Sequence, residues 1–245
     1  MKYIFDGTLE GLFTSIFEGY KDIQNINFCE SSLQTSFLSD EKTIKTDMNL
    51  YKRVKDSIVE YFGYGLIIDI KSVMKSYNVE KYDAIARVIK GSFIYGKEYL
   101  SCSSKDSFLF NELLKNYHRE CHAYKGLLRF KEINEFYYAE FEPLNDVLEE
   151  ISIHFKKRMP NEKFIILDKN RKKASLYYGE KLIYKEVNDI INFNTLMVNE
   201  ESRDEFFEKC WKTFYDTVSI DERKNPNLMR NNMPKRYWKY LTERK

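Results

Sequence analysis

The chain is poor in proline and glycine, with four Pro and nine Gly in 245 residues. Collagen-like repeats and linker-like composition are therefore excluded. Its four cysteines, Cys29, Cys102, Cys121 and Cys210, form no C-x-x-C pair. That removes the common zinc and iron–sulfur spacings and points to a reducing compartment. No apolar run approaches the roughly 20 residues of a membrane span, so no membrane contact is expected. Met1-Lys2-Tyr3 leads straight to Asp6 without an apolar leader, so the expected location is cytoplasmic. No Ser/His/Asp order, glycine-rich nucleotide fingerprint or nuclease-like acidic cluster stands out, and no cofactor is expected. Asp6-Gly7-Thr8 has too few glycines and no lysine for a phosphate loop, and reads as a strand-to-helix turn.

Aromatic residues make up 16% of the chain, mostly Tyr and Phe, and must carry much of the packing. A chain of this size can bury roughly 70–75% of its unfolded surface, so a core forms without staples. The net charge of +2 is small, but its distribution is uneven. From Ser219 to Lys245 there are eight Lys and Arg against three acids, a net +5, which leaves −3 for the remainder. Such asymmetry favours a localised anion-binding surface. The alternative is a solvated basic tail.

The apolar pattern predicts helices first and an antiparallel sheet later. Tyr3-Ile4-Phe5 reads as a strand, and Thr8 as the cap of a helix with Leu9, Leu12, Phe13, Ile16 and Phe17 on one face. Residues 22–48 look polar and irregular, with one strand near Thr35–Phe37. Residues 49–125 look mostly helical, ending in a long helix from Asp106 to Tyr124, with Gly126 as its terminator. Leu127–Ile133 and Phe136–Glu142 read as a hairpin around Asn134-Glu135. This register sets Arg129 opposite Glu140, Leu128 opposite Phe141 and Phe130 opposite Ala139. A helix over Asp146–Met159 follows. Then comes a meander of Lys163–Asp168, Ala174–Tyr178 and Lys181–Val187, and a last helix through Phe206–Val218. The expected fold class is α+β in one domain, 1–245. Its helical part is 1–125, its sheet part 126–187, and 188–245 holds the last helix and a basic, aromatic tail docked on the body.

All three histidines sit in the middle third. His118 and His122 share a helix face, with Glu120 between them. Two His at that spacing can share a metal, but H-R-E-C-H lacks the Glu that follows the first His in the zinc-protease pattern. No metal is expected; His118, Glu120 and His122 remain weak catalytic candidates. Lys125 and Arg129 follow at once, and His154, Lys156, Lys157 and Arg158 come from the next helix. If that helix covers the hairpin, these cations converge into a basic cleft suited to phosphate contacts. Alternatively, Arg129 simply pairs with Glu140. Arg171 lies in the charged hairpin tip Asp168–Lys173, which reads either as solvated or as a nucleic-acid contact. In the tail, Lys235 and Arg236 can meet phosphates while Trp238 stacks on a base. The competing reading is that Trp238 and Tyr240 plug an apolar groove.

Three blocks together resemble a known family. They are Tyr3-x-Phe5-Asp6-Gly7-Thr8-x-Glu10-Gly11, then His118-Arg-Glu-x-His122-x-x-Lys125-Gly-Leu-Leu-Arg129-Phe130, and finally Arg223-x-Asn225-Pro226 with Met233-Pro-Lys-Arg-Tyr-Trp238. In this order they are similar to a bacterial family, a domain of unknown function, described as DNA-metabolism or DNA-repair proteins. Members are associated with a radical-SAM DNA repair protein, and some are joined to a uracil-DNA-glycosylase-like domain. This chain lacks the C-x-x-x-C-x-x-C of a radical-SAM cluster. The resemblance therefore implies an accessory role beside a radical-SAM partner, with DNA as the second partner. Two other readings stand beside it: a His-based or metal-dependent enzyme acting on DNA or nucleotides, and an interaction subunit with no DNA contact.

Overall fold

The computed structural model describes residues 1–31, 40–133, 135–187, 213, 217 and 225–241. They fall into two compact units, Met1–His118 and Arg119–Lys245. The fold is α+β, with helices prevailing in the first unit and a largely antiparallel sheet in the second. Among the described residues no helix is long and apolar enough to cross a membrane.

The first unit begins with β1 (Lys2–Phe5), α1 (Leu9–Gly19) and a 3₁₀ turn over Tyr20–Asn25. Thr8 caps α1 as expected, its hydroxyl accepting from Gly11 N at 3.0 Å. Asp6 ties the turn together: Oδ1 accepts from Thr8 N and Thr8 Oγ1, and Oδ2 from Thr46 Oγ1. Burial alone would raise its pKa, but the hydrogen bonds from Thr46 and Thr8 outweigh that and lower it. Gly11 is required beneath this carboxylate, because a Cβ there would lie 2.2 Å from Asp6 Oδ1.

The described residues of 22–48 are more regular than their composition suggests. They contribute β2 (Asn27–Glu30) and β3 (Glu41–Thr43), which flank β1 in a three-stranded parallel sheet. Strands of three and four residues show too few alternations to register as a pattern. Four helices follow: α2 (Met48–Phe62), α3 (Tyr64–Met74), α4 (Lys81–Tyr95) and the 23-residue α5 (Lys105–Leu127). Their apolar faces and the sheet bury one core through Phe5, Leu12, Phe13, Phe28, Ile58, Ile67, Ile85 and Phe110.

In the second unit, α5 runs three residues past the expected end. Gly126 lies inside it and does not terminate it. The following strand is correspondingly short: β4 is Lys131–Ile133, paired antiparallel with β5 (Phe136–Phe141). The register is the expected one, with Lys131 opposite Tyr138 and Ile133 opposite Phe136. Leu127–Phe130, however, are not strand, so Arg129 does not face Glu140 across a ladder. Phe130 instead packs edge-on against Phe155 and Phe164.

From β5 the chain passes through α6 (Leu148–Arg158) to β6 (Phe164–Asp168), which lies parallel to β5. The β6–β7–β8 meander, with β7 at Lys173–Tyr178 and β8 at Lys181–Glu186, is antiparallel as expected. The five-stranded order β4-β5-β6-β7-β8 thus contains one parallel pair within an otherwise antiparallel sheet. Every β6 residue is buried, the mark of a strand covered on both faces. Inside, Ser152 of α6 bonds Ser175 of β7 at 2.6 Å, so two buried hydroxyls satisfy each other. The chain ends in α7 (Pro226–Asn232) and a 3₁₀ turn over Lys235–Tyr240. The strand expected near Thr35–Phe37, the turn residue Asn134 and the helix expected through Phe206–Val218 lie outside the described residues, Thr213 and Thr217 apart.

Candidate nucleic-acid interface

The second unit is organised around a buried acid. Glu120, on α5, is 1% exposed. Its carboxylate accepts from Leu144 N at 3.1 Å, Asn145 N at 2.8 Å and Asn145 Nδ2 at 2.7 Å. Arg236 Nη2 lies 3.8 Å away. A buried charge persists only when its oxygens are paired in this way. Glu120 is therefore a clamp on the turn after β5. His118 and His122 are exposed, while Glu120 points inward, so the three do not converge. Among the described residues no cluster of His, Cys, Asp and Glu is arranged to hold a metal.

The same turn is gripped from a second side. Arg171 donates through Nη1 to Pro143 O at 3.2 Å and to Asp168 Oδ2 at 3.0 Å, and through Nη2 to Leu144 O. Asn170 Nδ2 also donates to Pro143 O, at 2.8 Å. Asp168 is fully buried; burial raises its pKa, and Arg171 beside it pulls the other way. The charged hairpin tip is thus an internal brace, and its Arg171 is engaged with backbone and Asp168.

The tail supplies the third side. Asn225 caps α7 by accepting from Leu228 N at 3.0 Å, with Pro226 in the first turn where its missing N–H costs nothing. Tyr237 is 4% exposed and meets Tyr124 edge-on at 5.0 Å; Tyr124 meets Phe141 likewise at 4.8 Å. Leu241 is completely buried. Lys239 Nζ and Tyr240 OH both donate to Glu142 Oε1, and the Lys239 bond holds that carboxyl below its usual range. Arg236 lies over the Tyr237 ring and donates to its hydroxyl at 2.6 Å. Trp238 is half-buried, with Nε1 donating to Met233 O at 2.9 Å. Lys235 is exposed. Of the tail's rings, Tyr237 is the deep anchor.

A separate group of cations lies on α6. Glu150, His154, Lys157 and Arg158 follow at helical spacing and make one stripe. Lys125 of α5 joins it by an ion pair to Glu150 at 2.7 Å. His154 Nε2 is buried without a hydrogen-bond partner among the described residues. Its pKa is lowered first by burial, then by Lys125 and Arg158, with Glu150 opposing. Burial and the neighbouring cations thus act on His154 in the same direction. Arg129 donates through Nη1 to Gly126 O at 3.0 Å, at the end of α5. On α5, Tyr124 meets the tail through Tyr237, and the next residue, Lys125, meets α6 through Glu150.

Two of these participants were not readable as such. Glu150 offers only its spacing of four from His154, and of eight from Arg158, as a signal. Glu142, between Phe141 and Pro143, offered no signal, because its partners come from about one hundred residues away.

Fold and surface together define an α+β protein whose second unit carries two cationic faces, with no metal cluster among the described residues. A family model described as a domain of unknown function, DUF4130, matches residues 79–243. The match spans more than half of the chain, and the protein belongs to that family. It covers α4, α5 and the described second unit, the tail included. No curated protein matches the chain.

Proposed function

We propose that this protein is a DNA-binding accessory factor of DNA metabolism or repair, acting in the cytoplasm beside a radical-SAM enzyme. The observation that carries the reading is the stripe of Lys125, Lys157 and Arg158 around a partnerless His154, with Glu150 as the acid paired to it. Cations that repel one another are poorly compensated within the fold and are relieved by phosphate. The resemblance of the sequence blocks to DNA-metabolism proteins supplies the identity of the polyanion and of the enzyme partner. Lys125 and Arg158 supply phosphate contacts, which position a duplex or strand without reading its sequence.

The test is titration of single- and double-stranded DNA at a series of salt concentrations. Each phosphate contact contributes about 0.9 to the slope of log affinity against log salt on duplex DNA. Lys125→Ala with Arg158→Ala should lower that slope by about 2. A flat salt dependence in the parent protein, or an unchanged slope in the double variant, removes the proposal.

A further inference from the structure

The tail has the composition of a nucleic-acid arm, yet two of its cations are already matched to carboxylates of the same chain. Lys239 is bound to Glu142, and Arg236 lies beside Glu120. One Glu142 oxygen takes both Lys239 Nζ and Tyr240 OH, as a phosphate oxygen would take them. The cations nevertheless stay near solvent, with the Arg236 side chain 47% exposed and that of Lys239 58% exposed. Competing anions can therefore reach them. The anchors lie beneath, at Tyr237 and Leu241. The charged contacts are thus the weak outer layer of the seat, and the buried rings the strong inner one.

We propose that Glu142 acts as a built-in phosphate mimic that holds the tail shut against nucleic acid. When the outer layer is displaced, Lys235, Arg236 and Lys239 become available to phosphates and Trp238 and Tyr240 to bases. The arm so formed suits single strands, whose unstacked bases can lie on aromatic rings while cations follow the backbone. This regulation rests on the reading of the protein as DNA-binding, but it does not use the α6 stripe. The two ideas can therefore fail separately.

The experiment is run in the Lys125→Ala/Arg158→Ala background, where the stripe is removed. A single-stranded oligo-dT is titrated at low salt, read by anisotropy and by Trp fluorescence. Glu142→Gln is expected to tighten binding roughly three- to fivefold, the worth of one exposed ion pair. Adding Lys239→Ala should cancel the gain. Glu142→Asp, which keeps the charge but shortens its reach, should give a smaller gain and serves if the Gln variant does not fold. Trp238→Phe should abolish the quenching that oligo-dT produces. Unchanged or weaker binding in a folded Glu142 variant overturns the proposal, as does a gain that survives Lys239→Ala. Inorganic polyphosphate has no bases; if it competes equally and no Trp quenching is seen, the nucleic-acid assignment is overturned.

Discussion

The two cationic faces of the second unit are built from the same residue types and behave in opposite ways. On the tail side, each of Arg236 and Lys239 meets a carboxylate, and the aromatic rings between them are buried. On the α6 side, Lys125, Lys157 and Arg158 share a surface with His154, whose pKa burial lowers first and these cations lower further. The first arrangement spends positive charge on cohesion. The second retains it as potential. Charge counted along the chain favours the tail, with its net +5. Charge viewed after folding brings in the helix, where Lys157 and Arg158 stand exposed beside the Lys125–Glu150 pair.

The strongest way to break this contrast is to remove the acid that organises the tail side. Glu120→Ala leaves three buried donors on Leu144 and Asn145 without an acceptor. A loss of about 4 kcal/mol is expected in urea denaturation. A loss under about 1 kcal/mol would mean that Glu120 is not structural and would reopen its catalytic candidacy. Tyr237→Ala empties the space against Tyr124 and should cost about 3 kcal/mol by the same assay. Removal of Lys125 and Arg158 should behave differently, weakening DNA binding while leaving stability unchanged or slightly raised. In that variant the His154 pKa, followed by NMR, should rise toward its ordinary 6.5.

A pH series sharpens the same point. The His154 pKa lies below 6.5 in the folded state, so the unfolded chain takes up its proton first as pH falls. Stability should therefore decline as pH drops through about 6.5, and level off once the folded pKa is passed. His154→Gln should remove that part of the slope. The smallest effect is expected for Lys239→Ala, whose ion pair is largely exposed and worth under about 1 kcal/mol.

Local chemistry could be read directly from the sequence, while distant chemistry could not. Thr8 acts within its own helical turn, so its capping role needed no knowledge of the fold. The β4–β5 register followed from a two-residue turn, whose geometry is fixed by its length. The error there was of extent: α5 absorbed Leu127, and Leu128–Phe130 followed it outside the strand. The parallel β5–β6 pair was hidden because its partners are joined through a helix, and alternation along a strand does not say which neighbour lies beside it. Arg171 looked solvated because a run of charges at a turn usually is. Its true partners, Pro143 and Leu144, are 28 and 27 residues away. Glu120 was noticed for sitting between two histidines, but its work is set by residues 24 and 25 positions further on.

The burial of Tyr237 and Leu241 also bears on synthesis. Their seat includes Tyr124 and lies beside Glu120 and Glu142, laid down about a hundred residues earlier. Until Leu241 clears the ribosome, that seat stands open, with apolar rings and a charged carboxylate lacking their covers. The first unit has its core complete by Leu113 and Leu114 and can close while translation continues. The second must wait. Nascent chains stalled between residues 187 and 225 should therefore hold a folded first unit joined to an unfinished, chaperone-prone second.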